Sequence, residues 1–268
     1  QRVESAMVRY ARSANFTDLN AYELVLRAAN AKVEKTALIE SLGLIEQAIK
    51  LDPNSAGAHA QLANSYLLLW RHSLTDDPDE MLRRARSAAT RAIAIDNNSY
   101  LSHQVLSLIY LYADKDHTQA LASISKALQI NPNEADLMVR MGTLLGFMNR
   151  DAEAIEWIGK AKLQNPLHPV WYEWNAGFVY AAAGENERAI IASKKALEVY
   201  KTSASIRRVL IAAHGQLGQW TEAKRYALEI IEGNPRFTLS THMRNSPFQD
   251  PAEREHIWNI FRQAGLPD

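Results

Sequence analysis

A recurring period of about 34 residues constrains the fold of this chain more than any other feature of its sequence. Four segments end alike, in AIKLDP, AIAIDN, ALQINP and AKLQNP, and a fifth ends in EIIEGNP. Pro132 and Pro166 are 34 residues apart, and so are Lys201 and Pro235. A fixed period of this length predicts a solenoid, because a single repeat cannot bury its apolar face and must stack on its neighbours.

Each repeat divides into two helical stretches with a 3.6-residue periodicity. Asn149, Gly184 or Gly218 separates the two stretches, and these residue types accept the left-handed backbone conformation that ends a helix. Proline ends the second stretch, because the residue before a proline is pushed out of the α region. Small residues recur in phase, which places Gly142 and Ala154 where the two helices of one repeat approach closely.

This pattern resembles the tetratricopeptide repeat. The resemblance implies an all-α helical solenoid, built as a right-handed superhelix of antiparallel helix pairs without a β-sheet. Residues 1–21 are then predicted to form an N-terminal capping helix, and residues 236–268 a C-terminal capping segment and helix. Six repeats are predicted between them, at 22–53, 56–97, 100–132, 135–166, 170–201 and 204–235. The second repeat carries about ten additional residues.

Three stretches resemble one subgroup of these repeat proteins: LNAYELVLRA at 19–28, NPLHPVWYEWNAGFVYAAAG at 165–184 and PFQDPAEREHIWNIFRQAGLPD at 247–268. They are similar to the C-terminal repeat region of bacterial class III adenylate and guanylate cyclases of the rhizobial type. A similar region follows winged-helix DNA-binding domains in some bacterial transcription regulators. The resemblance implies a regulatory region of a cytoplasmic signalling protein, and we expect this chain to be a piece of a longer polypeptide.

The composition argues against several classes of function. The 268 residues include no cysteine, which excludes disulfides, thiolate nucleophiles and cysteine-ligated zinc. Lys+Arg 30 balance Asp+Glu 30, so the charge does not indicate nucleic-acid binding, and no apolar run approaches the ~20 residues that span a bilayer. The eight histidines lack metal-ligand spacing, and no phosphate-binding or nucleophile motif occurs. We therefore predict no catalysis, cofactor, metal, nucleic acid or membrane contact for this region.

One binding mode of tetratricopeptide domains is absent from the sequence. Chaperone-binding members hold the terminal carboxylate of a peptide with a clamp of lysine, asparagine and arginine side chains. The matching positions here hold Ala60, Asn64, Val105, Asp136 and Arg140. Only two of the five fit, and the Asp136 carboxylate would repel the ligand.

Aromatic side chains mark the predicted concave groove instead. In a helix-pair superhelix, the first helix of each repeat lines this groove, while Tyr172 is expected to point away from it. The predicted groove residues are Asn64, Leu108, Tyr112, Phe147, Trp171, Trp174 and Phe178. Exposed apolar patches mark interaction sites, since fully burying each such side chain stabilises by roughly 1.5–3 kcal/mol. We predict that the groove binds an apolar or aromatic anchor of a protein or peptide partner.

The sequence leaves the occupant of this groove open. The chain's own tail, with Trp258 and Phe261, could fold back to fill it, or a small molecule could bind between Trp171, Trp174 and Phe147. Our leading hypothesis is a non-catalytic helical-repeat scaffold for protein–protein interaction, within one chain or between chains. The alternatives are the non-catalytic half of a nucleotide cyclase, the regulatory region of a winged-helix transcription regulator, and a small-ligand sensor.

Overall fold

The computed structural model describes residues 16–29, 31, 33–242 and 246–268, and the regular elements in these residues are all helices. The predicted fold class, an all-α helical-repeat solenoid, is confirmed. The chain divides into two compact lobes, an N-terminal lobe that ends at Ile109 and a C-terminal lobe over Tyr110–Asp268. No helix in the described part of the chain has both the length and the apolar character needed to span a membrane.

The N-terminal lobe consists of helices that pack on their neighbours in sequence. They are α1 (Phe16–Ala29), α2 (Lys35–Leu51), α3 (Ala56–Arg71), α4 (Pro78–Ile95) and α5 (Tyr100–Ile109). Helix α1 packs on α2 and α3 on α4, which buries apolar residues such as Leu38, Ile45 and Tyr66. Most of the predicted capping helix lies outside the described residues. Helix α1 contains its last residues and the start of the first repeat, and the boundary between them stays a prediction.

The C-terminal lobe begins with a π-helical segment, Tyr110–Asp114, that directly follows α5 in the chain. The helices of this lobe are α6 (His117–Ile130), α7 (Ala135–Phe147), α8 (Asp151–Gln164), α9 (Trp171–Ala182), α10 (Asn186–Val199), α11 (Ala204–Gln216), α12 (Trp220–Gly233), α13 (Leu239–His242) and α14 (Pro251–Gln263). Helices α7 and α8, α9 and α10, and α11 and α12 form packed pairs, and α14 packs on α11. The predicted repeats four, five and six would each hold one such pair.

The breaks between paired helices follow the local prediction. Asn149, Gly184 and Gly218 have φ values of 55°, 73° and 70°, the left-handed conformation that ends a helix. Ser73 and Lys115, at φ 53° and 54°, have the same conformation after α3 and after the π-helical segment. The sequence did not indicate these two positions, because serine and lysine seldom adopt this conformation.

Small residues allow paired helices to touch. A Cβ atom added to Gly142 would lie 2.9 Å from the carbonyl oxygen of Ala154 and 3.1 Å from Cγ1 of Ile158. Ala154 is fully buried. The predicted close approach of α7 and α8 is therefore confirmed, and Gly177 makes a similar approach to Ser193 between α9 and α10.

Candidate functional site

Aromatic rings from the first helix of successive repeats, helix A, meet on one face of the C-terminal lobe. We call the surface formed by Tyr112, Phe147 and Phe178 the helix-A face. The ring centroids of Phe147, at the end of α7, and Phe178, in α9, are 4.3 Å apart. Tyr112 meets Phe147 edge-on, with centroids 6.1 Å apart. Tyr112 and Phe147 are buried and Phe178 is half-buried. Tyr112 lies in the π-helical segment, a distortion that is often found at functional sites.

A fourth ring reaches this cluster from the C-terminal segment. Phe248 lies 5.3 Å from Phe147, nearly perpendicular to it, and 6.2 Å from Phe178. Edge-to-face and offset pairs are preferred because the negative face of one ring attracts the positive edge of another. Two of the predicted groove residues, Phe147 and Phe178, therefore contact a side chain of the protein's own tail, while Tyr112 contacts Phe147.

Main-chain hydrogen bonds attach the same segment to the repeats. The Gln249 N–H donates to the carbonyl oxygen of Phe147 at 2.9 Å. This acceptor is available because the last carbonyl groups of a helix have no partner within the helix. On the other side of Phe248, Nε2 of the buried His117 donates to the carbonyl oxygen of Pro247 at 2.6 Å. We call residues 246–250, with the sequence SPFQD, the strap.

The strap ends where α14 begins. Asp250 caps this helix, with Oδ1 accepting from the Ala252 N–H at 2.8 Å, and Pro251 occupies the first helical position. Both residue types are preferred in these positions, because the cap satisfies an unpaired N–H and proline has no N–H to leave unpaired. The local sequence therefore ends the strap here and starts a helix.

Helix α14 is part of a larger apolar cluster, the C-terminal core, that also includes α11 and α12. Ile260 packs so closely on Gly215 of α11 that a Cβ atom there would overlap it. Phe237 and Leu239 are buried in the same core, and the Leu239 N–H donates to the carbonyl oxygen of Pro267 at 2.8 Å. The C-terminal helix thus covers the last repeat as a cap.

The tail residues that the sequence suggested for the groove belong to or border the cluster against which Trp174 packs, and they are not the residues that meet Phe147. Phe261 is buried in the C-terminal core and Trp258 is half-buried against it, under the Arg262 guanidinium at 5.6 Å. The ring that meets Phe147 belongs to Phe248. The sequence did not indicate Phe248, because the suggestion used the apolar stripe of α14 and Phe248 lies in the irregular segment before that helix.

The two predicted groove tryptophans have different surroundings. Trp171 is half-buried, 4.5 Å from the Tyr172 ring, and the guanidinium of Arg140 lies 5.7 Å from its centroid. Trp174 is also half-buried, but it packs against the C-terminal core and lies 6.0 Å from the ring of Tyr200. Trp171 therefore contacts Arg140 of α7, while Trp174 packs against the C-terminal core.

The remaining predicted groove residues, Asn64 and Leu108, belong to the N-terminal lobe. There Leu108 is buried and Asn64 is half-buried.

Tyr172 points away from the helix-A face, into the packing between repeats. It is 1% exposed, and its hydroxyl donates to Oδ1 of Asp136 at 2.5 Å. Burial raises the pKa of Tyr172 above its ordinary value, and the Asp136 carboxylate raises it further. Asp136, which the clamp comparison treated as a repulsive groove residue, is therefore used in a contact between repeats four and five.

A buried carboxylate next to Tyr172 was not identified from the sequence. Glu173 is 6% exposed and accepts from Lys162 at 2.6 Å, from His168 at 2.9 Å and from Lys195 at 2.9 Å. Burial would raise the pKa of Glu173, but these hydrogen bonds outweigh it and lower the pKa to about 2. A buried charge needs such partners, and here they join α8, the α8–α9 turn, α9 and α10.

The described residues contain no group of three or more histidine, aspartate or glutamate side chains that could hold a metal ion. The contacts that the structure shows at Phe147 are aromatic contacts and a main-chain hydrogen bond.

A comparison with known protein families identifies a repeat sequence in part of the chain. The family model described as "Tetratricopeptide repeat" matches residues 111–173, which run from the π-helical segment to the first turn of α9. Residues 111–173 therefore contain tetratricopeptide repeat sequence. The helices of the chain form a helical-repeat scaffold, and the matched family is defined by a repeat, not by a catalytic activity. No curated protein matches the sequence.

The fold is similar to that of solved structures, among them PilW and a chain of the Cut9–Hcn1 complex. PilW, a type IV pilus biogenesis factor, is 22% identical over 75% of this chain and 94% of its own, with a TM-score of 0.53. A chain of the APC/C hetero-tetramer Cut9–Hcn1 is 14% identical over 87% of this chain and 46% of its own, with a TM-score of 0.62. At these identities the similarity shows the fold alone.

Proposed function

We propose that this region is a non-catalytic scaffold for protein–protein interaction, which holds an extended polypeptide along the helix-A face of repeats three to five. One observation supports the proposal above others: the strap already lies on this part of the lobe, held through the ring of Phe248 and through hydrogen bonds to its main chain on both sides of that ring. Main-chain bonds combined with a side-chain anchor are a recurring way of binding peptides.

The alternative of a small-molecule sensor receives less support from the same geometry. It requires open space beside Phe147, and the ring of Phe248 lies there. Trp174, one of the three residues predicted to line a small-molecule site, packs against the C-terminal core.

The test uses the full chain as bait. A protein captured by it is purified, its binding region is mapped to a segment, and the dissociation constant is measured by calorimetry. Phe178→Ala should weaken binding by about tenfold or more, which corresponds to the 1–3 kcal/mol of one good aromatic contact and its burial. Leu167→Ala, at a position 93% exposed in the α8–α9 loop, is the matched control and should bind as the wild type does.

Equal affinities for the wild type and the Phe178→Ala variant, with circular dichroism unchanged, would contradict the use of this face. A purified partner that binds only the N-terminal lobe would do the same.

We further propose that the parent protein is a bacterial cytoplasmic signalling protein, such as a class III nucleotide cyclase with this region as its regulatory part. The three stretches at 19–28, 165–184 and 247–268 support the proposal by their resemblance to that subgroup. Sequencing the coding region upstream of Gln1 tests it, with a cyclase domain in the same reading frame as the expected result. A winged-helix domain there would favour the transcription-regulator alternative instead.

A further inference from the structure

The tail of the C-terminal lobe has two parts that are buried to different extents. Phe237, Leu239 and Phe261 are at most 3% exposed and belong to the C-terminal core. In the strap, Pro247 is buried, Phe248 is half-buried at the edge of that core and Gln249 is exposed. Segments with few buried apolar contacts open locally at a lower free energy than the core does. Because Pro247 is the only buried residue of the strap, we expect the strap to open at a lower free energy than α14 does.

We propose that the strap is an internal competitor for the helix-A face, and that the partner is an extended segment of another protein with an aromatic residue in the place of Phe248. This inference rests on the proposed function and adds the chemistry of the partner and its regulation. A partner segment binds only when the strap is released, so the closed strap keeps the face occupied until a competing segment is present.

The contacts of the strap define what such a segment must offer. Its aromatic ring must meet Phe147 edge-on and Phe178 at an angle, as the ring of Phe248 does. The residue before the ring must present a carbonyl oxygen to His117 Nε2, which a proline can do, as Pro247 shows. The residue after the ring must donate its N–H to the carbonyl oxygen of Phe147.

This last requirement excludes one residue type. Proline has no N–H, so it is accepted before the aromatic residue and rejected after it. A general apolar patch would not distinguish these two positions, which makes the asymmetry a specific mark of main-chain recognition.

The experiment uses a labelled synthetic peptide, SPFQDP, with blocked ends, which copies residues 246–251. Its affinity is measured by fluorescence anisotropy for the full-length wild type, for Phe248→Ala and for Gln249→Ala. Phe248→Ala removes the competitor's ring and should bind the peptide about tenfold more tightly than the wild type does, because apparent affinity scales with the open fraction. Gln249→Ala keeps the ring and the N–H and is the matched control, which should bind as weakly as the wild type.

Two altered peptides test the recognition itself. SPAQDP lacks the ring and SPFPDP lacks the N–H after it, and each should bind the Phe248→Ala variant at least about tenfold more weakly than SPFQDP does. Equal binding of SPFQDP to the wild type and to the Phe248→Ala variant would overturn the proposal that the strap competes for the face. Equal binding of SPFPDP and SPFQDP would overturn the main-chain recognition.

A measurement on the wild type covers the case in which Phe248→Ala does not fold. By hydrogen exchange, the Gln249 amide should exchange about tenfold or more faster than the amides of Ile260 and Phe261, and equal protection would overturn local release. If a second copy of the wild type displaces the peptide by exchanging straps, the occupant is this chain, and the proposal of a foreign segment is overturned. If the purified partner binds but SPFQDP does not, this inference fails while the proposed function stands.

Discussion

The ring of Phe248 lies 5.3 Å from the ring of Phe147 at an interplanar angle of 78°, and this contact joins the C-terminal segment to the end of the first helix of repeat four. The main chain reinforces it, since the Gln249 N–H donates to the carbonyl oxygen of the same Phe147. One residue of the repeat thus holds both a side chain and the backbone of the strap.

The two partners of this contact should contribute differently to stability. Phe147→Ala removes a buried ring and should lower the free energy of unfolding by about 3–5 kcal/mol. Phe248→Ala removes a half-buried ring and should cost about 1 kcal/mol, the size of one aromatic pair. Denaturant unfolding of both single variants and the double variant measures the coupling, which we expect to be about 0.5–1.5 kcal/mol. A coupling of zero would contradict the contact.

Gly142 should not tolerate a side chain, because a Cβ atom would lie 2.9 Å from the Ala154 carbonyl oxygen. Gly142→Ala should overpack α7 against α8 and destabilise by about 1–3 kcal/mol. Gly159→Ala is the matched control, since this glycine lies within α8 and a Cβ atom there has no atom within 4 Å. It should stabilise by roughly 0.5–1 kcal/mol through helix propensity. Thermal unfolding of both variants checks the opposite signs, and equal shifts would refute the close approach.

The buried Glu173 should make stability depend on acid pH. Its folded-state pKa of about 2 lies below the ordinary value of about 4.3, so its contribution is fully present above about pH 5. That contribution, roughly 2–3 kcal/mol, is lost as the pH falls towards 2. Glu173→Gln should therefore lower stability at pH 7 and flatten its decline between about pH 5 and 2.

The matched control for this charge is Glu156→Gln. Glu156 is exposed and pairs with Lys160 on the surface of α8 at 2.7 Å, a type of contact that contributes little. Its unfolding curves at each pH should coincide with those of the wild type. If Glu173→Gln retains the full acid dependence, the carboxylate is not the group responsible.

Substitutions of the two tryptophans of α9 should have different effects on the C-terminal tail. Trp171→Ala should leave the fold intact and raise the protease sensitivity of the tail little, because its half-buried ring lies outside the C-terminal core. Trp174→Ala removes a ring that packs on that core and on Tyr200, so it should loosen α14 and make residues 246–268 cleavable. Limited proteolysis read by mass spectrometry compares them, and identical digestion patterns would contradict the assignment.

The helix pairs of this protein follow from its sequence alone. Asn149 and Gly184 end helices because they accept a positive φ, and Pro132 and Pro166 end them because proline restricts the residue before it. These preferences act within a few residues, so they can be identified without the rest of the chain. The 34-residue period then requires stacking, and the smallness of Gly142 indicates where paired helices touch.

Only the tertiary structure decided which of the aromatic side chains meet. The sequence predicted that Tyr112, Phe147 and Phe178 share one face. It assigned the contact between the tail and this face to Trp258 and Phe261, because their helical spacing is recognisable in the sequence. Phe248 lies in an irregular segment without periodicity, and its place depends on how α14 docks on α11. Glu173 was missed for the same reason, because its partners come from three other parts of the chain. Contacts between distant residues are set by the packing of whole helices, and no local preference of the backbone encodes them.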